Sequence, residues 1–250
     1  NLPLIKNNEN YQKILKPKIS LRVAPNHSKN DVNSERKIDL NNVYSLNRTV
    51  DNQSIEGGMS AIYGIDYSII NKKQNNELFN FKLANNLRIE ENDDLSNMNQ
   101  IGQKVSNIFN EVEYKPNEFF NTKYASAIKN NLRDKSYESL KTEFKVNNFI
   151  TTFDYLNENN TLKKNSYLSN ETSININKFN SFGFSTRKNK TTNLTEYYNL
   201  LYQYENDCLV ASVEYNKDFY SDREIRPDES IFFKLTFIPF GEASSPNLKN

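Results

Sequence analysis

YQYENDCLVASVEYNKDFYSDREIRPDESIFFKLTFIPFG, residues 202–241, holds two runs of alternating character joined by one polar connector. In the first, Leu209, Ala211, Val213 and Tyr215 alternate with Val210, Ser212 and Glu214; in the second, Ile231, Phe233, Leu235 and Phe237 alternate with Phe232, Lys234 and Thr236. A period of two sends successive side chains to opposite faces of a strand, so each run has one apolar face and one mixed or polar face. The stretch predicts an antiparallel hairpin whose two faces meet different surroundings.

The same pattern recurs outward from this hairpin. Residues 18–24 alternate Ile19, Leu21 and Val23 against Ser20 and Arg22, and Pro25 ends the run, as suits a residue without a ladder N–H. After Gly57-Gly58, the side chains of Ala61, Tyr63, Ile65, Tyr67 and Ile69 share one face, opposite Gly64, Asp66 and Ser68. Phe79, Phe81 and Leu83 follow, then Leu140, Thr142, Phe144 and Val146, then Phe149, Thr151, Phe153 and Tyr155, with only Asn147-Asn148 between the last two runs as a tight hairpin. Ile174, Ile176, Phe182, Phe184, Tyr198, Leu200, Tyr202 and Tyr204 complete the series. Residues 100–114 fit a short helix as well as strands. The spacing predicts about 12 to 14 strands of the length used in membrane barrels. Residues 1–16 read as an irregular lead-in, 17–241 as strands and connectors, and 242–250 as a flexible tail.

Composition agrees. Hydrophobic residues make up only 36% of the 250 residues, yet 15 Tyr and 16 Phe raise the aromatics to 12%. Disordered chains are poor in aromatic and β-branched residues, whereas strands with one greasy and one wet face account for both figures. The 32 basic and 31 acidic residues leave a net charge of +1, so no basic footprint for nucleic acid is present. No apolar run is long enough for a transmembrane helix, a limit that does not touch strands of about 9 to 11 residues. The chain opens NLPLIKNNEN, with neither Met nor the pattern of a signal peptide, and is expected to be a piece of a longer exported protein.

Residues that carry chemistry are sparse. The single His27 cannot build a usual zinc site. Glu90-Glu91 and Asp93-Asp94 fall in a polar connector and read as solvated acids. Gly57-Gly58 lacks the Lys-Ser/Thr of a phosphate loop. No catalytic, cofactor or metal site is expected, and the chain does not read as an enzyme. Cys208 reads as a small buried hydrophobe on a strand, or as a thiol paired outside this sequence.

Three segments together, LKPKISLRVAPN (15–26), NVYSLNRTVDNQSIEGGMSAIYGIDYS (42–68) and the closing hairpin 202–241, resemble the carboxy-terminal half of the LptD family of lipopolysaccharide-assembly proteins. In that family a Pro-ending strand precedes an Asn-Arg, Asp, Glu-Gly, Tyr-Gly series; here these are Asn47, Arg48, Asp51, Glu56, Gly57, Tyr63 and Gly64. Residues 75–190 match only in their alternation.

The resemblance implies an all-β fold, an antiparallel transmembrane β-barrel of which this chain is about half, in the outer membrane of a Gram-negative bacterium. It implies insertion of lipopolysaccharide into the outer leaflet through the barrel lumen and a lateral gate. The implied partners are lipopolysaccharide, membrane lipid, an amino-terminal jellyroll of the same protein, the periplasmic Lpt bridge and an LptE-type plug lipoprotein. Ile231, Phe233, Leu235 and Phe237 would form the gate strand, and Leu209, Ala211, Val213 and Tyr215 would face lipid beside it. Familiar members carry two adjacent cysteines near the penultimate strand, disulfide-bonded to the amino-terminal domain; Asp207-Cys208 offers one. A porin-type diffusion channel and a soluble β-sandwich or adhesin share the alternation and stand as the rival readings.

Overall fold

The computed structural model describes residues 2–25, 37–46, 48, 56–95, 99–159, 164–219, 228–238, 241–244 and 248–249. The strands are β1 (Leu4–Asn7), β2 (Tyr11–Ala24), β3 (Gly58–Asn71), β4 (Asn76–Arg88), β5 (Ile108–Asn117), β6 (Phe120–Ile128), β7 (Lys135–Val146), β8 (Phe149–Asn159), β9 (Lys164–Asn175), β10 (Asn180–Asn189), β11 (Leu194–Glu205), β12 (Leu209–Asp218), β13 (Asp228–Phe237), β14 (Gly241–Ser244) and β15 (Leu248–Lys249). Every pairing resolved residue by residue is antiparallel. No helix occurs among the described residues, so residues 100–114 resolve into a turn followed by β5. The fold class is all-β, as the alternation predicts.

The chain divides into two compact units, with β7 contributing to both. The first holds β1 to β6 in chain order and the opening half of β7; the second holds the rest of β7, most of β8 and then β9 to β15. Its β14 and β15 both pair with β13.

Connectors alternate in length along the chain. Those at residues 8–10, 72–75, 118–119, 147–148, 176–179 and 206–208 have two to four residues. The intervening ones, 25–57, 89–107, 129–134, 160–163, 190–193 and 219–227, have four to 33. Antiparallel neighbours put alternate connectors at the same strand end, so within each unit one end carries tight turns and the other the longer loops. Asparagine builds many of these turns: Asn75, Asn147 and Asn193 take positive φ, and Asn206 Oδ1 accepts the backbone N–H groups of Cys208 and Leu209 at 3.0 and 2.8 Å. Both are habits of the short Asn side chain.

The apolar faces of the strands point outward. Ile19, Leu21 and Val23 on β2 are more than 70% exposed, whereas Arg22 between them is 8% exposed. On β3, Met59, Tyr63 and Ile65 are exposed while Ser60, Ile62 and Gly64 are buried. Only nine hydrophobic residues are buried among the described residues, all in the first unit, against 36 large hydrophobic side chains that are exposed. Burying one such side chain is worth about 1.5–3 kcal/mol. A sheet in water could not leave so many outward, and a β-sandwich would hide them between its layers.

The second unit shows the arrangement in register. Ile174, Phe182, Tyr202, Val213 and Phe233 lie directly opposite one another across β9 to β13, and Phe184, Leu200, Tyr215 and Ile231 form the next row. On the other face Asn199 donates to Glu214 Oε1 at 2.6 Å. Leu209, Ala211, Val213 and Tyr215 pair with Phe237, Leu235, Phe233 and Ile231, so the two apolar faces read from the closing hairpin are one continuous surface. At its edge, Tyr215 OH donates to Glu229 Oε1 at 2.8 Å.

Two expectations are corrected at the chain's edges. Residues 4–7 and 11–16 are strand, not an irregular lead-in. Pro17 is tolerated because it lies past the last β1 pair, Leu4 with Leu15, where the described pairing of β2 is with β3 alone. Beyond β13, which ends at Phe237, β14 and β15 pair against it where a flexible tail was expected.

Candidate functional site: a carboxylate held by three arginines

Glu56 lies two residues before β3, and it is 1% exposed. Its carboxylate accepts four N–H donors from three arginines. Arg48 binds in the two-pronged manner that a guanidinium fork favours, Nε to Oε2 at 2.9 Å and Nη2 to Oε1 at 2.6 Å. Arg88 Nη1 donates to Oε1 at 2.7 Å, and Arg22 Nη1 donates to Oε2. The sheet register explains how two distant arginines meet there: Arg22 on β2 and Arg88 on β4 both lie directly opposite Ser60 on β3. That small side chain leaves room between the two guanidiniums for the carboxylate.

Backbone carbonyls take up further arginine donors. Arg22 Nη2 donates to Glu56 O at 2.9 Å, Arg88 Nη2 to Gly57 O, and Arg48 Nη1 to Val43 O at 3.3 Å. Asn86 Oδ1 accepts from both Arg48 terminal nitrogens at 3.3 Å. Gly58 turns the chain away at φ +89°, a conformation that suits glycine, and a Cβ there would meet Arg88 Nη2. Burial pushes the Glu56 carboxyl up, but the Arg48 hydrogen bonds and the three guanidinium charges outweigh it and hold the group below the usual carboxylate range. With its lone pairs occupied, Glu56 is placed to act neither as a base nor as a metal ligand. It is a fastening.

What it fastens is a lining. Ile38, Val43, Leu95 and Ile101 come from the two longest connectors and pack with Ile62, Ala84, Phe109, Ala127 and Tyr137, one from each of β3 to β7. Tyr44 reaches Gly64 from the same connector, where its buried hydroxyl has no partner among the described residues. Burial, and then the Asp66 charge, push that hydroxyl up to about 12. Below this lining the inward face is ionic: Lys18 is bonded to Asp66, and Glu111 is held by Lys82 and by Lys123, both at 2.9 Å. A Cβ at Gly64 would collide with the Tyr44 hydroxyl and the Leu83 carbonyl. Gly64→Ala should therefore cost about 1–3 kcal/mol, read as a lower thermal midpoint, with Tyr44→Phe restoring only part because Leu83 O remains.

Of the motif residues, Arg48, Glu56 and Gly57 meet in this cluster, Gly64 packs under Tyr44, and Tyr63 stands on the outward face, 43% exposed. Asn47, Asp51 and His27 lie outside the described residues. Arg22, Arg88, Asn86 and Tyr44 are members that the sequence did not single out. Glu90, Glu91, Asp93 and Asp94 are exposed in the connector after β4, and no group of three potential metal ligands occurs among the described residues. Cys208 is exposed in a turn of the short-connector end, not on a strand.

Comparison with protein families matches residues 1–194 to the model described as LptD: LPS transport system D. The chain belongs to the LptD family. The match spans the Arg22–Arg48–Glu56–Arg88 cluster and every strand up to the start of β11. LptD is a family of outer-membrane proteins of Gram-negative bacteria concerned with lipopolysaccharide transport and assembly, and the outward-facing apolar strands are what such a barrel wall requires. The search of curated proteins gave no match.

Proposed function

We propose that this LptD-family chain forms part of the barrel that carries lipopolysaccharide to the outer leaflet, with the saccharide passing along the charged inner face and leaving through a lateral gate beside β13. The observation that carries the proposal is the inversion of the sheet, ionic pairs on one face and exposed Ile, Leu, Phe and Tyr on the other, in a chain of this family. An amphiphile needs a polar path next to an apolar one, and this wall offers both. Leu209, Ala211, Val213, Tyr215, Ile231, Phe233, Leu235 and Phe237 face lipid. The partners are the amino-terminal jellyroll, the periplasmic Lpt bridge and an LptE-type plug lipoprotein, as in the family at large.

The orientation follows from connector length. Outer-membrane barrels put short turns on the periplasmic side and longer loops outside. The lining made by residues 37–46, 89–95 and 99–107 then belongs to an infolded pair of external loops, and Cys208 faces the periplasm, where a disulfide to the amino-terminal domain can form. Non-reducing mass spectrometry of the exported full-length protein should find Cys208 in an interdomain peptide; a free thiol there ends that assignment.

Depletion tests the function. Loss of the protein should lower the lipopolysaccharide exposed at the cell surface, while the protein itself stays with carbonate-washed membranes and migrates in a heat-modifiable form. Unchanged surface lipopolysaccharide on depletion would overturn the transport reading.

A further inference from the structure

The outward apolar runs differ in height between the two units. On β3 the outward side chains from Met59 to Ile69 are Met, Ala, Tyr, Ile, Tyr and Ile, with no charge among them. At about 3.4 Å per residue and a strand tilt of about 35–45°, that run crosses about 24–28 Å of membrane. This matches the band of about 25 Å usual for barrels. In the second unit β11, β12 and β13 carry shorter runs, Tyr198 to Tyr204, Leu209 to Tyr215 and Ile231 to Phe237. By the same measure each crosses about 14–17 Å, and even an upright strand would reach only about 20 Å.

Polar groups fix both ends of the short runs. At the long-loop end the next outward pair on β12 and β13 is Lys217 opposite Glu229, with Nζ and Oε2 3.5 Å apart. Beside it Tyr198 meets Phe219 edge-on, ring centroids 5.5 Å apart. At the tight-turn end Asn206 Nδ2 donates to Tyr204 OH at 3.1 Å, and Tyr202 OH donates to Asn180 Oδ1. Aromatic rings with a polar tip mark the two interfaces of a barrel. Tyr198 and Tyr204 therefore place both girdles on β11, only six residues apart.

We infer that the bilayer is thinned where it meets the second unit, its two headgroup layers drawn about 10 Å closer together there than beside β3. The inference rests on the reading that the outward faces meet lipid. Full-height hydrocarbon would strip water from Lys217 and Glu229, whereas a bilayer deforms at small cost per ångström. A long Lys can snorkel out of the apolar layer; the shorter Glu229 has no such reach. The lipid that fits this wall has tilted, compressed or short acyl chains.

The test uses the oxidised full-length protein in vesicles of dioleoylphosphatidylcholine, with a nitroxide carried by Val213→Cys or by Ile65→Cys, one near the middle of each kind of run. The signal of the unsubstituted protein is subtracted, and heat-modifiable migration checks that each variant is folded. Depth is read from relaxation by oxygen, which enters hydrocarbon, against relaxation by a nickel chelate, which stays in water. The Val213 label should lie about 5 Å nearer the headgroups than the Ile65 label, and Leu235→Cys against Tyr63→Cys should repeat the difference. Lys217→Leu together with Glu229→Leu lengthens the β12 and β13 runs by one row and should carry the Val213 label about 2–3 Å deeper. Equal depths in hydrocarbon for the two labels of each pair overturn the thinning and leave the membrane reading standing. Labels relaxed as strongly by the chelate as by oxygen at all four positions would sink the membrane reading, and the thinning with it.

Discussion

Glu56→Gln should lower the unfolding free energy of the full-length protein by about 3–5 kcal/mol, the usual result of removing one partner from a buried ionic group. The substitution keeps the shape of the side chain and removes the only carboxylate charge among the described groups that bind Arg22, Arg48 and Arg88. Three guanidiniums, all 7% exposed or less in their side chains, would then share a neutral amide whose NH2 group cannot accept from them. Chemical unfolding followed by far-UV circular dichroism reads the effect, and an unchanged midpoint would show that the arginines need no counter-charge. The pH dependence has a definite sign. Because the folded carboxyl titrates below its unfolded value of about 4.3, its contribution is fully present above that value and is lost as the pH falls through the lower folded one. Wild-type protein should therefore lose stability in that acid range, and Glu56→Gln should lose less.

The second large effect is expected at the opposite end of the chain. Phe233→Lys puts a charge midway along β13, where the apolar row that starts at Ile174 ends, and a Lys at the bilayer midplane of a barrel costs about 2–4 kcal/mol. Thr236→Lys adds the same charge on the other face of β13, beside Val210 and near Ser212, and should be tolerated. The readout is the heat-modifiable, membrane-integrated fraction of each variant. Equal tolerance of both substitutions would invert or abolish the assigned faces.

Much of this was legible in the amino-acid sequence because a period of two is a local signal. Ala61 to Ile69 and Ile231 to Phe237 name their faces without any knowledge of neighbours, and the structure keeps those faces. The start of β2 was hidden for the converse reason. Ile14 and Leu15 are adjacent, and Pro17 follows closely, so the run breaks alternation although pairing to β1 and β3 holds it extended. Register was not legible at all. Nothing local in Arg22 or Arg88 says that both will flank Ser60, although an arginine on the polar face near a strand end is a signal worth testing against a nearby Glu-Gly pair. Cys208 looked like a strand residue because Leu209 and Val210 follow it directly. Asn206 decides otherwise, by capping the turn through its side chain.

The two sides of β13 are unequally held. Ten register pairs join it to β12; among the described residues its other side is met by four pairs from β14 and two from β15. A strand edge held by few ladder pairs is a template for whatever strand arrives, including one from another copy of the same chain. The two short segments cover part of that edge and leave less of it open to a second copy.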